Sequence, residues 1–287
     1  MTRARGSADE LQAQAQSITI ALRKFAQTKN PHFLILAIAR LARQGRGIEV
    51  LYGLWCFVLH RRPQVAARTD FHLRVEIQDW LREPDVLRLA DLPPVFRNAA
   101  LSDVVPSDAL FRPGTIAHGR GWTLLGEFGK SARMYHVGSE RTTVIRFYDE
   151  IDGVRHIHSI HALDESQILI STGDAKKFLD LWHVDVAGAR FVRRIMGMLG
   201  GFTAATQVGN DHYFGTDFSN RPNYLFRLRD RRKFFYPGVA YTRWTRRLKT
   251  LDNKFIVSMN CSTLDDSRAT ITLFDTQAEN FIYESEL

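Results

Sequence analysis

The sequence has only two cysteines, Cys56 and Cys261, far apart in the chain. Neither a disulfide-stapled scaffold nor a zinc ribbon can be built from them, and such sparse thiols fit a reducing compartment. The start, Met1 to Gln16, is polar and lacks the apolar core and small-residue cleavage site of a secretory signal. Long apolar runs are missing too. The longest, Phe33–Ala39 and Val50–Leu59, fall short of the roughly 18–20 residues a bilayer requires and are separated by Arg40, Arg43, Arg46 and Glu49. A cytoplasmic protein, peripheral to the membrane at most, is the expectation. No Gly-x-Ser-x-Gly elbow, Gly-x-Gly-x-x-Gly turn or phosphate-binding loop occurs, so no nucleophile or nucleotide site stands out. Glu127 and Asp149 are candidates for an acid–base pair, with nothing in the sequence to fix their separation.

What is present is ordinary globular composition: 45% hydrophobic and 24% charged residues in 287. The net charge of +8 is segregated. Residues 1–68 hold eleven Lys/Arg against Asp9, Glu10 and Glu49, and the remaining residues balance. A basic segment ahead of a neutral body points to an anionic partner for that segment alone, a membrane surface or an acidic protein, or else to a solvated helical face. Its cations are dispersed among apolar residues, which argues against nucleic acid.

Leu11, Ala15, Ile18, Leu22 and Phe25 recur at helical spacing, and Asn30-Pro31 supplies a break and a new start. Residues 1–100 are therefore expected to be a basic, mainly helical region, with a strand at Phe71–Ile77 and a short helix within Asp79–Leu92. From about residue 101 helical periods vanish and short alternating runs take over. One unit repeats four times. Its second strand reads at Trp122–Glu127, Gln167–Thr172, His212–Thr216 and Lys254–Met259, and its fourth at Thr142–Tyr148, Arg190–Ile195, Lys233–Tyr236 and Asn280–Glu284. Four short strands recurring every 42–47 residues mark a β-propeller, since a sandwich would not give that longer period. The expectation is a mainly β chain: a propeller of four visible blades, residues 101–287, with residues 64–80 able to supply part of a fifth, preceded by the helical region.

The Ser-x-Asp-x-Gly-x-Thr-Trp box, the paired Gly-His/Trp-Asp motif and the kelch double glycine are absent. Yet His156-Ile-His158 leading to Ile168-Leu-Ile-Ser-Thr-Gly-Asp174, then His212-Tyr-Phe-Gly-Thr-Asp217, resembles bacterial sialidase-like or glycosyl-hydrolase-like propeller proteins over residues 155–220. That resemblance implies a propeller fold and a carbohydrate-related role, as a binding module or as a glycan-active hydrolase or lyase.

In such a blade the first strand starts, and the second ends, on one face of the disc. This puts His156, His158, Asp174, Asp217, Asn260 and Arg243 on a common face as candidate ligand-binding residues. Alternation sends the two imidazoles to one side and His161 to the other. Imidazole and carboxylate suit a metal ion or a hydroxylated ligand, and Arg243 an acidic group. The competing explanation is structural: Asp or Asn at a strand end commonly caps the next turn. Tyr241–Arg247 interleaves arginine with aromatic residues and reads as a charge-protected strand edge or a stacking surface. Arg227–Lys233 reads as a solvated hairpin turn.

Overall fold

The computed structural model describes residues 78–92, 99–139, 141–173, 176–197, 201–218, 221–261 and 269–286. The helical reading of residues 10–60, the strand at Phe71–Ile77, the basic segment and Asp174 lie outside these residues. Among the described residues the chain is mostly β: four antiparallel four-stranded sheets follow one another, joined by a small two-stranded sheet. The first sheet holds β3 (Ile116–Gly119), β4 (Trp122–Gly126), β5 (Met134–Gly138) and β6 (Thr142–Ile145). The second holds β7 (Ile157–Ala162), β8 (Gln167–Thr172), β9 (Phe178–Asp185) and β10 (Gly188–Gly197). The third comprises β11 (Phe202–Val208), β12 (Asp211–Thr216), β13 (Tyr224–Arg227) and β14 (Arg232–Phe235). The fourth comprises β15 (Trp244–Leu251), β16 (Phe255–Cys261), β17 (Ala269–Asp275) and β18 (Asn280–Glu286).

Every sheet is a meander in sequence order, and the first strands of successive sheets pack against each other, β3 on β7, β7 on β11 and β11 on β15. This is a propeller-like arrangement of sheets. Its cause is alternation along the second strands: adjacent residues serve opposite cores. Leu124 joins Trp122, Tyr148, Ile157 and Trp182 between the first and second sheets, while Leu125 turns to the other face. Leu169 packs with Phe202, Phe214 and Phe226 between the second and third. Tyr213 packs with Leu225, Tyr236, Ile256 and Phe274 between the third and fourth. Each large buried side chain contributes about 1.5–3 kcal/mol, and both faces of a sheet must be covered to collect it.

The free faces of the first and fourth sheets are covered by the preceding segment. Helix α1 (Gln78–Arg82) places Trp80 on Val257, Ile271 and Leu273 of the fourth sheet. Further on, β1 (Leu87–Arg88) pairs with β2 (Leu110–Phe111), and Leu92, Leu101, Val105 and Phe111 cover Leu125 and Tyr135 of the first sheet. The helix expected within Asp79–Leu92 is thus a single turn followed by a strand and a 3-10 turn.

Candidate functional site

His156 and His158 flank the start of β7. Their Nε2 atoms lie 2.8 Å apart, so one ring donates to the other, and the rings stack with centroids 4.7 Å apart. His158 is fully enclosed, and burial pushes its imidazole well below the ordinary histidine range, which keeps it neutral. Its Nδ1 lies 3.8 Å from Asp217 Oδ2. With a carboxylate on that side, the favoured tautomer carries its proton on Nδ1 and accepts from His156 at Nε2.

Asp217 follows β12 directly and is gripped by Lys177, whose Nζ donates to Oδ2 at 2.8 Å and to the Asp217 carbonyl at 2.5 Å. Burial would raise this carboxyl, but Lys177 outweighs it and holds the group at about 2. The turn after β12 is capped by a different residue: Asn223 accepts from Phe218 N at 2.8 Å and donates to Phe218 O at 2.9 Å. Phe128 lies 4.5 Å from the His156 ring, and the Arg112 guanidinium stands 3.7 Å above Phe128.

Two motif glycines exist for close approach. A Cβ on Gly173 would come within 1.8 Å of His158 Nε2, and one on Gly215 within 2.3 Å of Thr245 Cγ2. The first keeps the imidazole pair in place; the second lets the third and fourth sheets meet.

Next to His158 a cavity of about 120 Å³ opens between the first strands. Its wall includes His158, Thr203–Ala205, Arg246–Leu248, Arg112–Gly114 and, from the covering segment, Trp80, Glu83 and Asp85. Asp85 ties the segment down. Its Oδ1 accepts from Arg247 Nη2 at 2.6 Å and Nε at 3.0 Å, its Oδ2 pairs with Arg246, and Arg247 also donates to Trp80 O at 2.5 Å.

Of the sequence candidates, the structure brings together His156, His158 and Asp217. Asn260 is fully buried inside β16, opposite Thr245 and Thr270, and its amide donates to Ser258 Oγ at 3.0 Å. Arg243 reaches Thr270 and, at 2.7 Å, Glu286 of the outer strand β18. His161 meets His212 and Phe214 of the third sheet, its Nε2 2.8 Å from His212 Nδ1. Glu127 is held by Arg133 and, at 2.9 Å, by the Tyr135 hydroxyl, while Asp149 pairs with Arg146, so each carboxylate has its own partner.

The Tyr241–Arg247 stretch leads into an edge strand, as expected, but that edge is covered by a neighbouring sheet. It runs into β15, the first strand of its sheet, flanked by β11. The hairpin expected at Arg227–Lys233 is present, but Arg227 is buried and fixed by Asp230 and Glu279. Among the described residues no three His, Cys, Asp or Glu side chains gather as a metal-binding group, and no helix is long and apolar enough to cross a membrane.

Lys177 and Arg112 escaped the sequence reading. Lys177 lies in the connection before β9 and Arg112 just before a 3-10 turn, where no period applies; only their charge beside the motif residues marks them.

No protein-family model matches the chain, and no curated protein does. Among solved structures it is similar to Kluyvelomyces marxianus Hsv2, with 12% identity and a TM-score of 0.36 over 63% of this chain and 56% of that one. It is also similar to a chain in a structure of S. cerevisiae Dbp5 bound to Nup159, Gle1, IP6 and ADP, with 11% identity and a TM-score of 0.36 over 65% of this chain and 52% of that one. The chain thus spans about half the length of the structures it matches.

Proposed function

We propose that this chain is a β-propeller binding module that recognises a carbohydrate or other polar ligand on the face bearing His156, His158 and Asp217. Four sheets act as blades, and residues 78–92 and 99–111 cover the free faces of the fourth and the first. One observation carries the reading: a stacked imidazole pair sits beside a Lys177–Asp217 ion pair where the first strands begin. Neutral imidazole, carboxylate and ammonium together both donate and accept, which is what hydroxylated ligands need, and Phe128 offers a ring face beside them. The resemblance of residues 155–220 to sialidase-like propellers supports the carbohydrate class. The basic segment 1–68 is assigned to an anionic membrane surface or acidic protein.

A glycan array followed by calorimetry on wild type, His156→Ala and Lys177→Met tests the module. Binding by the wild type, lost in both folded variants, is expected. Equal binding by all three proteins, or no glycan bound by any, would reject it.

A further inference from the structure

The first strands of three successive sheets share an irregularity that alternation does not produce. In β7 the pairing steps from Ile157 to Ser159, in β11 from Phe202 to Ala204, and in β15 from Thr245 to Arg247. Each skips one residue: His158, Thr203 and Arg246. A bulge bends its strand and re-aims the extra side chain, and bulges concentrate beside functional sites. Here the same bulge occurs at the same level of three neighbouring strands, and all three bulged residues line the one cavity.

We infer that this bulge-lined cavity is a binding site for a tetrahedral oxyanion, the phosphate or sulfate ester group of a ligand, with Arg246 and His158 donating and Arg112 adding charge. The inference rests on the binding-module reading and names the ligand class. Charge comes first. Three arginines line the cavity against Glu83 and Asp85, both carboxylates already face Arg246 and Arg247, and Asp217, 3.8 Å from His158 Nδ1, is balanced by Lys177. Donors come second. Arg246 Nε and His158 Nδ1 are both buried without a hydrogen-bond acceptor within the protein, so each has a proton left for a water or a ligand to accept. Arg246 is held by Asp85 and Cys261 through its other nitrogens.

Shape decides between anions. Arg112, His158 and Arg246 arrive from three separate elements, the turn before β3, β7 and β15, which suits an anion with three oxygens; a planar carboxylate is matched by a single guanidinium fork. The Thr203 hydroxyl donates to Thr245 O, so it forms the wall. Size agrees: a cavity of about 120 Å³ has room for a phosphate or sulfate group. The rest of the ligand would lie at His156 and Asp217.

Calorimetric titration of the full chain with sodium phosphate, sodium sulfate and sodium acetate at matched low ionic strength tests this. Phosphate or sulfate should bind at least tenfold tighter than acetate. Arg246→Gln should weaken that binding at least tenfold, and Arg243→Gln, outside the cavity, should leave it unchanged. Should Arg246→Gln fail to fold by circular dichroism, Arg246→Lys serves, with a severalfold loss expected. Acetate binding as tightly as phosphate and sulfate, no saturable binding of either tetrahedral anion, or wild-type affinity in a folded Arg246 variant would overturn the inference. Glycan binding that depends on His156, without oxyanion binding, would overturn it while leaving the module reading intact. Oxyanion binding without any glycan binding would keep the site and remove the carbohydrate reading.

Discussion

Asp180 lies at the middle of the second sheet with no solvent exposure, and its loss should weaken the fold more than that of other described carboxylates. It accepts from Arg194 Nε at 2.9 Å and Nη2 at 3.1 Å, and from the Tyr148 hydroxyl at 3.0 Å. Tyr148, arriving from the connection between the first two sheets, accepts in turn from Trp182 Nε1 at 2.9 Å. The four side chains lock one sheet to the next. Asp180→Ala leaves the Tyr148 hydroxyl buried without an acceptor, which costs about 1–3 kcal/mol. It also breaks the ion pair, which for a fully buried pair costs about 3–5 kcal/mol. Arg194 is 36% exposed and recovers water at its tip, so the lower end applies. The two losses overlap, and the net expectation is about 3–4 kcal/mol. Urea unfolding, with a slope of about 2–3 kcal/mol per molar for a chain of this size, should show the midpoint falling by roughly 1–2 M. Tyr148→Phe, which keeps both arginine bonds, should cost about 1–2 kcal/mol. A double-mutant cycle of Asp180→Ala with Arg194→Leu should show a coupling above about 1 kcal/mol. An Asp180→Ala midpoint within about 0.3 M of wild type would refute the argument, because it would mean that the buried carboxylate and its partners contribute no net stability.

Gly173→Ala should push His158 off His156, so an NMR titration should show both imidazoles changed and ligand binding lost, with little change in the other sheets. Burial and His212 hold His161 at about 4 in the fold against 6.5 unfolded, so the unfolded chain gains the proton first. Stability should therefore be intact above pH 6.5 and fall as pH drops toward 4, and His161→Gln should flatten that slope by up to about 1.4 kcal/mol per pH unit in acid-dependent unfolding. Burial raises the Tyr236 phenol to about 12 from 10, so stability should fall above pH 10, where the unfolded chain ionises first, and Tyr236→Phe should lessen the fall.

The inner strands were readable because both of their faces are buried, as in β8 and β17. The β8 reading, Gln167–Thr172, coincides with the strand, and the other second and fourth strands shift by one to three residues at their ends. A strand packed on both sides must carry apolar residues at nearly every position, and the turns between strands must carry Gly, Asp or Asn, so the period survives in the sequence. The covering segment carries no such signal. Its strands β1 and β2 have two residues each, Leu92, Leu101 and Val105 are buried one at a time, and pieces that short have no period to detect.

The site was half legible for a related reason. The His-x-His spacing places two rings on one side of a regular strand, and the observed rings do meet, but one of them sits on a bulge that alternation does not anticipate. The same break in register puts Arg246 in the cavity and leaves Arg243, three residues earlier, bound to the outer strand. Choosing between those arginines required knowing where the ladder skips a residue, and a skip leaves no mark in polarity or spacing. The repeat does leave a trace in hindsight: His158, Thr203 and Arg246 each stand at the opening of a unit, and all three are polar. A polar residue among apolar ones at the opening of a propeller blade is thus evidence about register as well as chemistry, because a bulge lets it turn toward the axis while its neighbours stay in the cores between sheets.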